Sequence, residues 1–208
     1  MPLVRKTDKD APQPQTSAAV TLSALMQGNP EERWAAARAA ATLAGGTQAL
    51  AAAIRSESDL RVREAMFTSL IRIGTPEAAQ AMLPLLRADD ANLRTSTLDA
   101  LRAIPSAARE HLPGLLADGD VDVRILSCEI LRGLPAEDAT PLLCQLLVSD
   151  PEVNVCAAAI DVLAEVGTAE ALPALERCAA RFPQTPFLGF AARAARDRIL
   201  SQSLERHD

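Results

Sequence analysis

Apolar and polar positions along the chain repeat on two scales. In Asp120-Val121-Asp122-Val123-Arg124-Ile125-Leu126-Ser127-Cys128-Glu129-Ile130-Leu131, small and apolar residues return every three to four positions, the spacing that gathers them on one side of an α-helix. That stretch is one copy of a pattern running along almost the whole chain. Copies anchor on Arg33, Arg63, Arg94 and Arg124, and the register continues without the arginine at Cys156 and Gly189, at intervals of 30, 31, 30, 32 and 33 residues. Three positions after each anchor stand Ala36, Met66, Thr97, Ser127, Ala159 and Ala192. Six and seven positions on are Ala39-Ala40, Ser69-Leu70, Ala100-Leu101, Ile130-Leu131, Val162-Leu163 and Ala195-Arg196, and an aliphatic closes each copy at plus ten: Leu43, Ile73, Ile104, Leu134, Val166 and Ile199. A period of about 30 residues with helical spacing inside it predicts an all-α fold, a right-handed α-solenoid of about six helix pairs.

The first helices are expected near 17–27, 47–55, 76–87, 106–117, 138–148 and 169–181. The second helices are expected near 31–44, 60–73, 92–104, 122–134, 153–166 and 187–202. Gly45-Gly46, Gly74-Thr75-Pro76, Pro105-Ser106, Pro135-Ala136 and Gly167-Thr168 separate the pairs, since glycine suits a helix end and proline a helix start. Within pairs the turn is marked by Asn29, Asp59, Asp90, Asp120 and Glu152, four residues before the anchor. The first four are good N-cap residues, able to accept from free backbone amides. One repeat domain over 17–202 follows, between a polar, proline-rich leader (1–16) expected to be disordered and a tail at 203–208.

Composition narrows the function. Hydrophobic residues make up 49% of the chain, but it has four Phe, one Trp and no Tyr, which suits thin stacked layers of small side chains. The net charge of −6 and the few aromatics disfavour a nucleic-acid partner, which calls for a basic face and stacking platforms. Cys128, Cys144, Cys156 and Cys178 form no closely spaced ligand pair, so no metal site is expected and the thiols read as buried packing in a reducing compartment. With no signal peptide or membrane-spanning run, a cytoplasmic protein without membrane contact is expected.

The acidic turn, Val-Arg, small residues at plus three and plus six, then Leu and Ile-Gly stand as Asp59-Leu60-Arg61-Val62-Arg63 through Ile73-Gly74, and again from Asp120 to Leu134. These residues resemble the HEAT repeat family, in its short bacterial form called the phycobilisome-lyase HEAT-like repeat, over about 190 residues. The resemblance implies that the second helices line the concave face and that turn acids and helix arginines of neighbouring units form a ladder. The family includes scaffolds, chromophore-lyase subunits and an iron hydroxylase that binds its metal through His-Glu pairs. This chain offers only Glu110-His111, in reverse order.

Two residue sets recur. Asp59, Asp90 and Asp120 with Arg63, Arg94 and Arg124 are expected to form the structural ladder, each acid at a helix start bridged by a neighbouring arginine. At plus five of the second helices, Asp99, Glu129 and Asp161 form an acidic row; one turn on, Arg72, Arg102 and Arg132 form a basic row, and Phe67, Leu98, Cys128 and Ile160 stand beside them at plus four. Either these are i,i+3 ion pairs on a solvated face or they line a mixed groove for a partner. Trp34 and the Phe182, Phe187 and Phe190 cluster stand near the two ends, as caps or contacts. No nucleophile–base constellation, phosphate loop or cofactor motif is present. The expected function is a non-catalytic scaffold or adaptor that binds a basic or mixed-charge segment of another protein on its concave face. A chromophore-lyase-type or regulatory subunit and a nucleic-acid-binding solenoid are the alternatives.

Overall fold

The computed structural model describes the backbone of residues 14–205 and the side chains of residues 18–202. Residues 1–13, most of the expected leader, lie outside it; the first helix starts at Pro14, and the last runs to Glu205. Every regular element among the described residues is helical. The chain groups into two compact units, Met1–Ile73 and Gly74–Asp208.

The first unit holds α1 (Pro14–Gln27), α2 (Pro30–Ala40), α3 (Gly46–Ile54) and α4 (Leu60–Ile73). α1 packs on α2 and α3, and α2 packs on α4. Asn29 starts α2 with reciprocal bonds: its Oδ1 accepts from the Glu32 amide (3.0 Å) and Glu32 Oε2 accepts from the Asn29 amide (2.8 Å), a capping box. Between the pairs, Gly45 has φ +77°, a conformation that glycine enters without a Cβ penalty. Gly46 lies so close to α2 that a Cβ there would stand 1.9 Å from the Ala40 carbonyl oxygen.

The second unit holds α5 (Pro76–Met82), α6 (Ala91–Ala103), α7 (Pro105–Ala108), α8 (Leu112–Leu116), α9 (Val121–Leu131), α10 (Ala136–Ser149), α11 (Val153–Val166), α12 (Leu172–Arg181) and α13 (Pro186–Glu205). Its layers follow from the repeat: α6 packs on α9, α9 on α11 and α11 on α13, while α5 packs on α7 and α10 on α12. This is the all-α solenoid arrangement of stacked helix pairs. The uninterrupted first helices expected at 76–87, 106–117 and 169–181 are corrected. The first ends in a 3-10 turn at Leu83–Arg87, the second is split by one at Arg109–His111, and the third begins with one at Ala169–Ala171. Pro84, Pro113 and Pro173 stand at or just after these turns; proline has no amide to donate and crowds the carbonyl four residues back, so the backbone tightens and restarts.

The core repeats the pattern. Ala36, Met66, Ala159 and Ala192 at plus three are buried, as are Leu70, Leu101, Leu131 and Leu163 at plus seven. Two polar residues share the plus-three position. Thr97 Oγ1 donates to the Leu93 carbonyl (2.7 Å) and Ser127 Oγ to the Val123 carbonyl (2.6 Å), so neither buried hydroxyl is left unsatisfied. No helix among the described residues is long and apolar enough to cross a membrane.

Candidate functional site

The recurring arginines sit at the turns inside the pairs. Each donates to a carbonyl five or six residues before itself: Arg33 to Gly28, Arg63 to Glu57, Arg94 to Ala88 and Arg124 to Asp118, at 2.6–2.9 Å by their shortest bonds. The arginine thus straps its own turn to its own helix. Lateral pairing comes on top of this, and at Arg33 and Arg124 it uses other acids than the turn acids of the expected ladder. Arg33 meets Glu57 (2.7 and 3.0 Å) and Arg124 meets Asp150 (2.7 and 3.3 Å). Asp59 spends its carboxylate on the Arg61 and Val62 amides, and Asp120 on the Asp122 amide. Asp90 likewise accepts from the Asn92 and Leu93 amides. The acids that reach sideways in these two pairs stand two residues earlier.

Both lateral pairs are withdrawn from water, with Arg124 and Asp150 each buried. Burial pushes the Glu57 carboxyl up, but the Arg33 hydrogen bond, the Asp59 amide and the Arg33 charge outweigh it and hold it below the usual carboxylate range. At the fifth pair the anchor is Cys156, whose Sγ faces the Asp150 carbonyl at 3.6 Å. The guanidinium missing there is supplied from α12: Arg181 donates to the Leu147 carbonyl (2.5 Å) and the Asp150 carbonyl (2.6 Å).

The plus-five positions face solvent. On the second unit, Arg132, the residue that caps the end of α9, draws three carboxylates together: Glu129 (3.0 Å), Asp161 of α11 (2.8 Å) and Glu165 of α11 (2.6 Å). The hydrogen bond to Glu129, with those to Glu165 and Asp161, raises the Arg132 guanidinium pKa further despite its burial. Asp99 and Arg102 are exposed on α6 and pair neither with each other nor with any other described residue. The apolar members are corrected in part. Phe67 (5% exposed), Ile160 (2%) and Cys128 (0%) are core, because plus four turns inward beside plus three; Leu98 is half-buried. Glu165 was not anticipated, although it stands one turn beyond Asp161 on the same face.

Arg72 belongs to the first unit, where its Nη2 donates to the Arg38 carbonyl (2.7 Å). It lines a groove of about 570 Å³ between α2 and α4, with Trp34, Arg38, Arg61 and Glu64. Arg38 lies over the Trp34 ring at 4.7 Å. Near the other end, Phe187 and Phe190 are 54% and 68% exposed, while Phe182 is half-buried beneath the Arg181 guanidinium.

The thiols lie inside the helix layers. Burial pushes the Cys128 thiol up to about 12, and raises that of half-buried Cys144. Cys156 shares a hydrogen bond with Cys178, and that bond raises the former and lowers the latter. The thiol that Cys156 meets is therefore that of Cys178, on a first helix.

A model of HEAT repeats matches residues 18–102 and 109–185. No curated protein matches the chain. Similar solved structures include the archaeal HEAT-like repeats protein from Thermococcus onnurineus NA1, at 15% identity over 90% of this chain and 88% of that one, with a TM-score of 0.49. The CpcE–CpcF complex of phycocyanin lyase from Nostoc sp. PCC7120 matches at 16% identity over 95% and 100% of the two chains, with a TM-score of 0.41. A designed armadillo repeat protein matches at 17% identity over 86% and 98%, with a TM-score of 0.42. The family match takes in the strapped turns, the buried plus-three positions up to Ala159 and the plus-five row of both units, and the chain belongs to the HEAT repeat family.

Proposed function

We propose that the chain is a non-catalytic protein-binding scaffold, and that the second helices of the Gly74–Asp208 unit hold a basic or mixed-charge segment of the partner. The observation that carries this reading is the imbalance around Arg132. One guanidinium faces Glu129, Asp161 and Glu165, and Asp161 remains 71% exposed at its side chain. Asp99 adds a further unpaired carboxylate on α6. Excess negative charge on adjacent layers is self-repelling, so stability does not favour it, whereas a cationic ligand does. Half-buried Leu98, Ile125, Ala157 and Ala158 on these helices supply apolar surface beside it.

Charge complementarity of this kind acts strongly on encounter and is screened over about 10 Å at 0.1 M salt. Random peptides displayed on phage and selected on the immobilised chain at low salt should be enriched in Lys and Arg, and should be released as salt rises. The informative variant combines Asp99→Asn, Asp161→Asn and Glu165→Gln and keeps Glu129 as the Arg132 partner. It should lose these peptides at an unchanged melting temperature. Their undiminished binding to the folded variant would dismiss this face.

A further inference from the structure

The groove between α2 and α4 has a chemistry opposite to that of the acidic row. Its walls carry three guanidiniums, Arg38, Arg61 and Arg72, against two carboxylates, Glu31 and Glu64. Arg61 is taken by Glu31 (2.9 Å) at one end, which leaves two arginines against Glu64. Elsewhere, Arg33, Arg87, Arg109, Arg124 and Arg132 each meet an acid of another repeat layer. Among the described residues, neither Arg38 nor Arg72 meets a carboxylate.

Both are nonetheless held in position. Arg38 is stacked on Trp34, and a guanidinium over an indole is drawn to the ring while its edge N–H groups stay free to donate. Arg72 reaches from α4 to the Arg38 carbonyl in the last turn of α2. That satisfies one orphan carbonyl of the helix end and leaves most of its five donors unused. Cations fixed in advance bind anions at a lower ordering cost than free side chains. Between them the groove is lined by Ala65, Thr68 and Ser69, small residues that leave the half-buried Trp34 accessible. Its volume, about 570 Å³, lies in the range of sites that enclose a ligand group.

Net charge agrees. Residues 1–73 carry nine Lys and Arg against seven Asp and Glu, a charge of +2, while residues 74–208 carry twelve against twenty, a charge of −8. An acidic segment is matched to the first unit and mismatched to the second.

We infer that this groove is a second docking site, for an acidic peptide segment that sets Asp or Glu carboxylates on Arg38 and Arg72 and an apolar side chain against Trp34. It stands independently of the acidic row and reverses its polarity.

The chain has one Trp and no Tyr, so its intrinsic fluorescence reports this groove. The probe is a set of acidic peptides without Trp or Tyr, taken from selection of a random phage-displayed library on the full chain. They should form a class enriched in Asp and Glu, separate from the Lys- and Arg-rich class expected at the acidic row, should change Trp34 emission on titration, and should lose at least about tenfold in affinity in the Arg38→Gln, Arg72→Gln variant. Thr68→Glu, an exposed position inside the groove, sets a carboxylate one turn before Arg72, where it occupies that guanidinium and repels an acidic ligand, and should abolish binding at an unchanged melting temperature. The Asp99, Asp161 and Glu165 variant should bind these peptides as the parent does, so loss of either site reads separately. Absence of acidic enrichment, binding that leaves Trp34 emission unaltered, or full affinity in Thr68→Glu would each overturn the inference.

Discussion

A single arginine position does two jobs in this chain, and they differ in energy. Arg94 only straps its turn, donating to the carbonyls of Ala88 and Asp89. Arg124 straps its turn and also holds buried Asp150. Arg94→Ala should therefore cost about 1–3 kcal/mol, the usual penalty for leaving acceptors unsatisfied. Arg124→Ala, which strands a buried carboxylate, should cost about 3–5 kcal/mol. Urea denaturation midpoints measure both, and equal costs would mean that the lateral pair contributes nothing. Acid separates the pairs further. Glu57 is depressed in the folded chain, so its contribution is fully present above the ordinary glutamate value of about 4.3 and is lost as pH falls through the lower folded value. The melting temperature should drop over that acidic range, less steeply in Glu57→Gln. The strap was legible in the sequence as a periodic arginine, but the lateral partners of Arg33 and Arg124 were not. Asp59 and Asp120 were the conspicuous acids, yet as caps they face their own amides. The lateral acids Glu57 and Asp150 stand six positions before the next anchor, a spacing that reads clearly only once the turn conformation is known.

The two helices of a pair answer differently to sequence. Second helices run without a break because their Leu, Ala and Arg content is helix-forming and no proline interrupts them past the first turn. First helices carry Pro84, Pro113 and Pro173 and are broken near each one. Helix starts and the pairing itself were visible from caps and periodicity, since those are local or repeated signals. The breaks were passed over because apolar spacing alone ignores the missing amide. Pro141 is the exception, standing inside α10 without ending it. Buried Thr140, Leu143 and Leu147 hold that helix to its neighbours, and tertiary packing overrides the local cost. Pro141→Ala restores an amide donor and helix propensity at an exposed site, and should raise the melting temperature, the equivalent of about 1–3 kcal/mol. A lower melting temperature in this variant would mean that the proline ring is needed for packing.

Across the whole molecule, buried positions keep the family pattern while exposed plus-five positions vary in charge: Arg38 and Thr68 in the first unit, Asp99, Glu129 and Asp161 in the second. Packing constrains the former; only a ligand or solvent constrains the latter, which is why the fold could be read from the chain and the partner could not. The contribution of Arg181 has a consequence for how freely such an array can be recut. Repeats are commonly treated as beads to be removed, duplicated or exchanged, each carrying its own fastening. Here the fifth bead has lost its fastening at Cys156 and borrows one from the sixth, through Arg181 on the Leu147 and Asp150 carbonyls. Ending the chain at Gly167 should therefore loosen the turn at Asp150 as well as bare α11, a double loss that shortening at a self-fastened turn avoids. Cys156→Arg should recover part of that loss in the shortened chain, measured as a gain in melting temperature. In the intact chain, where Cys178 and Arg181 already fill the space, the same substitution should destabilise. The sixth repeat is thus fitted to the fifth, and the order of the two is written into their chemistry.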